Sequence, residues 1–269
     1  MAITEFQRAI CRLMARQRVE SGVSYVAGGV ALNTLTDSPR QSRDIDIFHD
    51  AREAVAVSWA ADRQTLEGAG YTIRTVRERD TFVEALVTKG SDSVVLEWAL
   101  DSAFRFFPLI SNDDFGLALH PFDLATNKVL ALVGRLEVRD WLDVIQCHDK
   151  IQRLGYLAWA ACGKDPGFSP ATILEQAGRT ARYSTLEVGA LSFSGPAPDA
   201  AALSRSWHEM LSEGRDLIAA LPPAVAGTCV LDSDGRLFTG GLRKLEEALQ
   251  SSSLRFHEGS LHGSWPLIR

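Results

Sequence analysis

The sequence has no closely spaced cysteines. Cys11, Cys147, Cys162 and Cys229 lie far apart, none in a CxxC pair, each among apolar or helical residues. That pattern argues against a disulfide framework and against a cysteine-ligated zinc, and leaves buried, reduced thiols as the expectation. Long apolar runs are missing too. Wholly apolar stretches such as that around Val129 to Val133 fall far short of the roughly 20 residues that span a bilayer. The start of the chain carries Glu5 and Arg8 without an apolar core, so no secretory signal is expected, and the reading is a cytoplasmic protein with no membrane partner. There is no GxGxxG, and no Walker A lysine follows Gly28-Gly29, which removes the dinucleotide-binding and P-loop readings. Repeats and low-complexity tracts are absent. The six histidines are scattered, and His49 has no evident partner, so they read as structural or exposed.

What is present is enough apolar residue for a core. Of 269 residues 46% are hydrophobic, which suits one large domain or two smaller ones. The charged fraction of 23% is near the globular average. A net charge of −6 argues against a protein that coats nucleic acid nonspecifically, while leaving room for a local basic patch.

The chain is organised around residues 25 to 48. An apolar run, Tyr25-Val26-Ala27, ends in Gly28-Gly29. A short helical pattern follows through Val30, Ala31, Leu32 and Leu35. A polar loop then leads to Asp44-Ile45-Asp46-Ile47-Phe48. On a strand, residues i and i+2 share a face, so Asp44 and Asp46 stand side by side while Ile45 and Ile47 enter the core. Two such carboxylates can share a pair of Mg²⁺ ions about 3.5–4 Å apart. Without side chains, Gly28 and Gly29 let a phosphate approach the backbone N–H groups, and the following helix turns its positive end toward it. Asp-Ile-Asp can equally be a solvated face, and Gly-Gly an ordinary turn. The conjunction of glycines, helix, acids and the later Lys128 and Asp140 favours the functional reading.

A Gly-Gly pair, a helix and an Asp-x-Asp strand resemble the DNA polymerase beta-like nucleotidyltransferase superfamily. Gly28-Gly29-x-Ala31-Leu32 followed by Arg40-x-Ser42-x-Asp44-Ile45-Asp46 resembles its AbiEii/MenT branch, which contains toxins of toxin–antitoxin and phage-defence systems. The resemblance covers roughly the first 150 residues. It implies Mg²⁺, with two ions expected, held by Asp44, Asp46 and a third carboxylate. It also implies an NTP such as ATP, contacted by Gly28, Gly29, Ser42, Arg43 and Lys128.

The third carboxylate is sought on a neighbouring strand. Tyr71 to Val76 and Thr81 to Thr88 read as strands around a charged turn, Arg77-Glu78-Arg79-Asp80, and Val94 to Leu100 as a third. Parity puts Val95, Glu97, Ala99 and Asp101 on one face, opposite Val94, Leu96, Trp98 and Leu100. Glu97 lies mid-strand, where an acid is costly unless it has a partner or a metal, and is the first choice. Asp101 is the second. Arg105 can neutralise one of these acids, contact a phosphate, or serve in a structural pair. Before this region, residues 3 to 20 read as an amphipathic helix. Arg8, Arg12 and Arg16 on one side are either a solvated face or a track for RNA phosphates.

A helix is expected over Leu124 to Leu136, with Pro121 suited to its start. The run Lys128…Arg135…Arg139-Asp140…Asp143 resembles a second signature of the AbiEii/MenT branch. There the lysine is taken to hold the triphosphate and the aspartate to lie at the active site. Bland readings exist for each: Lys128 can snorkel from a core helix, and Asp140 with Asp143 can cap one. Further on, helical patterns occupy 150 to 190, Ser192 to Asp199 reads as a loop, and Ala201 to Leu221 as a helix. Ser233-Asp234-Gly235 signals a hairpin, followed by a short helix at Gly241 to Gln250 and a strand near Leu254 to His257.

The expected class is α+β. A mixed-sheet nucleotidyltransferase domain (1–120) precedes a helical domain with the Lys/Asp motif (121–222) and a small hairpin–helix module (223–269). The expected chemistry is metal-dependent transfer of NMP from NTP to a hydroxyl. By resemblance the acceptor is an RNA end, most simply the tRNA 3′ end, and an antitoxin protein is a possible partner. Transfer to a small molecule or a protein side chain, or a non-catalytic partner-binding protein, are the alternatives.

Overall fold

The computed structural model describes residues 3–180 and 183–267. In chain order its elements are α1 (Glu5–Ser21), β1 (Tyr25–Ala27), α2 (Gly28–Leu35), β2 (Arg40–Gln41), β3 (Asp44–His49), α3 (Arg52–Gly68), β4 (Thr72–Arg79), β5 (Phe82–Lys89), β6 (Asp92–Leu100), β7 (Phe104–Arg105), β8 (Ile110–Asn112) and β9 (Gly116–Ala118). There follow α4 (Pro121–Arg135), α5 (Val138–Lys150), α6 (Leu154–Ala161), α7 (Pro170–Ala177), α8 (Thr185–Gly189), β10 (Ser192–Phe193), α9 (Ala200–Ala220), β11 (Cys229–Leu231), α10 (Leu242–Gln250), β12 (Arg255–His257) and β13 (Ser260–Leu261). Among the described residues no helix is long and apolar enough to cross a membrane.

The chain divides into two compact units. The first comprises residues up to 103, 108–120 and 192–195; the second holds the remainder. Unit 1 is built on one mixed seven-stranded sheet in the order β4-β5-β6-β3-β1-β9-β8. β3 runs parallel to β6 and antiparallel to β1. The alternation expected along β3 is present: Ile45, Ile47 and His49 are buried while Asp44, Asp46 and Phe48 face the other way, half-buried. Beneath β6, Trp98 packs on Trp59 of α3 at 4.7 Å between ring centroids and donates to Asp62 at 2.8 Å. α1 begins with a capping box between Thr4 and Gln7 and ends at Gly22, whose φ of +64° explains the glycine.

The second unit is mainly helical. Tyr156 and Trp159 of α6, Leu217 and Leu221 at the end of α9, Val230 of β11 and Leu245 of α10 form one buried cluster. The segments 121–222 and 223–269 thus share a core.

Several local expectations are corrected. Arg77, Glu78 and Arg79 belong to β4, and the turn is confined to Asp80 and Thr81, because cross-strand pairing with Glu84, Val83 and Phe82 carries the ladder to its end. Ser233-Asp234-Gly235 does form a turn, with Gly235 at φ +77°. Leu231 makes only an isolated bridge to Leu237, and the ladder partner of β11 is β12. Within the stretch read as a loop, Ser192 and Phe193 form β10, which pairs with β2. No sequence alternation announced β8 and β9, which are three residues each.

His49 is fully buried under the sheet. Its Nδ1 donates to the Ala99 carbonyl at 3.2 Å, and Nε2 has no hydrogen-bond partner. Burial drives its pKa down from 6.5 to about 4, the hydrogen bond to Ala99 opposing this. A group with a depressed folded pKa stabilises the fold above its unfolded value and loses that contribution as pH falls through the folded one. Stability against urea is therefore expected to decline between pH 6.5 and pH 4. His49→Gln should flatten that limb; an unchanged limb would show that His49 is not the titrating group.

Candidate active site

The corner at Gly28-Gly29 follows from three-residue β1 running straight into α2. Gly28 adopts φ +64°, a conformation costly for a residue with a Cβ. A Cβ on Gly28 would collide with the Asp46 carboxylate, and one on Gly29 would come within 2.6 Å of Ser42 Oγ and 3.0 Å of the Arg40 guanidinium. Both glycines are therefore required by close approach, and Gly28 also by backbone shape. The first turn of α2 has no side-chain cap, so its N–H groups are not engaged by a capping side chain.

The strand register assembles the acids. Ala27, Asp46 and Glu97 are successive partners across β1, β3 and β6, so Asp46 and Glu97 stand on the same face of adjacent strands. Asp44 is one step along β3 and accepts from Ser42 Oγ at 2.7 Å. The backbone of Ser42 is itself anchored: its carbonyl accepts from the Gln7 side chain of α1 at 2.8 Å. Asp101 shares the parity of Glu97 but lies beyond the end of β6, where its N–H donates to the His49 carbonyl and its carboxylate accepts from Ser102 N at 2.8 Å. Arg43 is exposed on the turn between β2 and β3.

The residues fit a divalent cation of the kind that nucleotide enzymes use. Among the described residues no group of three His, Cys, Asp or Glu side chains stands ready to hold an ion by itself. Mg²⁺ does not require one. It keeps several waters and is commonly bound by one or two carboxylates together with substrate phosphates. Asp44 and Asp46, with the bare Gly28 corner beside them, supply that donor set.

Arg40, a motif residue given no role from sequence, and Glu84 add to this face. Arg40 is buried to 5% exposure and reaches the Gly29 side of the corner. The signal was there in the parity of Arg40, Ser42, Asp44 and Asp46. Glu84 of β5 is the cross-strand partner of Glu97, which only the register reveals.

Unit 2 brings together Lys128, Arg135, Asp140 and Asp143. Lys128 Nζ lies 3.2 Å from Asp140 and 3.0 Å from Asp143, and Arg135 grips Asp140 with two bonds of 2.6 and 2.9 Å. Asp140 and Asp143 are buried within α5. The capping alternative for Asp140 is not what forms: the N-cap of α5 is Glu137, which makes no side-chain cap bond. Burial pushes the Asp140 pKa up, but Arg135 and Lys128 outweigh it and hold it below 3.8. Arg105, in β7, is buried and lies 3.3 Å from His262. The arginines of α1 are ion-paired: Arg8 and Arg12 both reach Asp114, and Arg16 reaches Glu20. The side chains of Arg12 and Arg16 stay largely exposed, at 59% and 87%.

Comparison with solved structures supports the fold. The chain is similar to a Helicobacter pylori protein provisionally described as a nucleotidyltransferase, with a TM-score of 0.52 and 14% identity over 80% of this chain and 96% of that one. It is also similar to MenT4, a nucleotidyltransferase toxin of Mycobacterium tuberculosis, with a TM-score of 0.51 and 15% identity over 91% and 92% of the two chains. No family model and no curated protein matches the sequence. The chain has the nucleotidyltransferase fold, and its class is the mixed α+β one expected.

The ion cluster of unit 2 carries a stability consequence. Lys128→Ala leaves Asp143 without its ammonium partner and Asp140 with Arg135 alone, which should cost about 3 kcal/mol in denaturant unfolding. A loss under about 1 kcal/mol would mean that the cluster is not buried as described.

Proposed function

We propose that the protein is a metal-dependent nucleotidyltransferase that moves a nucleoside monophosphate from an NTP to a hydroxyl, most simply at the 3′ end of an RNA such as tRNA, in the cytoplasm. The observation that carries this is the register of Asp46 with Glu97 on one sheet face, against a glycine corner that admits no side chain. Mg²⁺, bound at Asp44 and Asp46, would supply positive charge to the phosphates. The uncapped N–H groups of α2 are suited to polyphosphate oxygens. The hydroxyl oxygen attacks the α-phosphorus, the bond to the β-phosphate oxygen breaks, and pyrophosphate leaves. Glu97 is suited to take the proton that the hydroxyl loses. Ser42 orients Asp44, and Gln7 fixes the loop that carries Ser42. The protein's share of the rate enhancement is positioning and charge.

The residue resemblance, and the likeness in fold to MenT4, support a toxin role in which a modified RNA end loses its use, with an antitoxin protein as partner. The resemblance also gives Lys128 a triphosphate contact. Because Lys128 is fixed between Asp140 and Asp143, its effect on NTP use has to be measured on folded protein. Asp140 and Asp143 would then act as positioning residues.

The test is incubation with each labelled NTP, Mg²⁺ and total RNA. Label is expected in the tRNA band. Label on a small molecule or on the protein itself would move the acceptor assignment. No transfer to any acceptor would favour a partner-binding protein. Asp46→Asn should melt like the parent yet lose at least about a thousandfold in transfer, as expected when transition-state charge stabilisation is removed. Glu97→Gln should lower kcat with little change in the KM for NTP. Undiminished transfer by Asp46→Asn would end the assignment.

A further inference from the structure

The sheet face that carries Asp46 and Glu97 continues across β5 to the edge strand β4. Successive cross-strand partners define three rows. Asp44, Val95, Leu86 and Arg74 form the first; Asp46, Glu97, Glu84 and Arg77 the second; Phe48, Ala99, Phe82 and Arg79 the third. Each row runs from β3 to an arginine on β4. Helix α3 contacts the opposite face, where Trp98 points.

The arginines reach one face only because of a β-bulge. Ladder parity from Arg74 would bring Val76 and Glu78 to this side. The register shift between Thr75 and Arg77 inserts one residue and turns Arg77 and Arg79 into phase with Arg74. Glu78 is sent to the other face, opposite Val83. All three arginines are exposed. Arg77 is 4.0 Å from Glu84, the limit of an ion pair, and lies over the Phe82 ring at 5.7 Å. Between edge and acids, Phe82, Leu86, Val95 and Ala99 are only half-buried. The face therefore offers a cationic rim, an aromatic step and two apolar rows, with Glu84 and Glu97 in the middle row leading to Asp46. Three inter-strand spacings of about 4.8 Å set the rim about 14 Å from β3.

We propose that this face seats the acceptor, as a single-stranded polynucleotide whose phosphates follow Arg74, Arg77 and Arg79 and one of whose bases stacks on Phe82. The rim gives a sequence-independent, salt-sensitive attraction, and the ring a π-face that any base can use. An arginine rim beside an aromatic ring suits a strand of phosphates and bases better than a lipid surface, because Glu84 and Glu97 interrupt the apolar area that a lipid surface would have to meet. The inference rests on the reading above that the acceptor is RNA, and supplies the surface that such an acceptor needs.

Fluorescence anisotropy with a short labelled single-stranded RNA and the full chain, without NTP, tests the surface apart from the chemistry. R74A/R77A/R79A should weaken binding at least about tenfold and reduce the slope of log K against log salt by about 2, since each phosphate contact on a single strand contributes about 0.7. R74K/R77K/R79K should keep the slope, and F82A should weaken binding about fivefold or more at unchanged slope. An unchanged slope in the alanine variant overturns the proposal. So does competition by polyglutamate as strong as that by RNA of equal charge, which would point to an acidic protein instead. Transfer is scored separately. A parent protein that labels RNA while the arginine variants bind and label it equally well sinks the surface but keeps the enzyme. RNA binding that depends on the arginines, with no transfer by the parent, keeps the surface and sinks the acceptor reading.

Discussion

Everything in unit 1 is arranged around one steric fact: the Asp46 carboxylate occupies the space that a side chain on Gly28 would need. Gly28 can follow a strand at φ +64° only because it lacks a Cβ. That turn in turn lets α2 start immediately after β1, so the helix N-terminus and the acidic strand are brought together by the chain's own connectivity. The pairing of Ala27 with Asp46 fixes their height, and the parallel pairing of β3 with β6 sets Glu97 beside them. A one-residue slip at either pairing would move the acids to the buried face. The core residues Ile45, Ile47, Leu96 and Trp98 prevent the slip by being buried on the other side.

Much of this could be read in the sequence because period-two alternation is strongly encoded where one face is apolar. Asp-Ile-Asp-Ile and Val-Val-Leu-Glu-Trp announce both strand and face. The glycine pair announces the corner. Relations set by tertiary pairing were not legible. Nothing local says that Glu84 opposes Glu97, that Ser192 and Phe193 pair with β2, or that β11 takes β12 as its partner rather than its own hairpin. Glycine and aspartate at 233–235 did form their turn, but turn chemistry decides only the turn, and the ladder goes to whichever strand packing brings alongside. Arg77-Glu78-Arg79-Asp80 reads as a turn by its charge, since charge usually means solvent. An edge strand is also solvated, and charge there protects it from further pairing.

The ion cluster in unit 2 shows the same limit in electrostatic form. The spacing of Lys128, Arg135, Asp140 and Asp143 along the chain signals a constellation, but not its burial. Two carboxylates at nearly zero exposure are tolerable only because an ammonium and a guanidinium hold them. Arg135 saturates Asp140 from one side, which leaves the Lys128 ammonium divided between two acids. A lysine so placed has little rotamer freedom left to lose, a property as useful for presenting a charge to a ligand as for stabilising a core. Structure alone gives it the second role, and the first belongs to the chemistry proposed.

Net charge and local charge point in opposite directions, and the register explains how both can hold. The chain carries six more acidic than basic groups, and the arginines of α1 are ion-paired with Asp114 and Glu20. On the sheet face that carries Asp46 and Glu97, the exposed arginines Arg74, Arg77 and Arg79 lie on β4, put in phase by a single extra residue. Because acids lie at the other end of two of these rows, the face has a direction: a polyanion would be drawn to the rim and repelled by the carboxylates. Any cation held beside Asp44 and Asp46 would offset that repulsion, so the inner end of the face would admit a phosphate strand more readily with a cation present than without one.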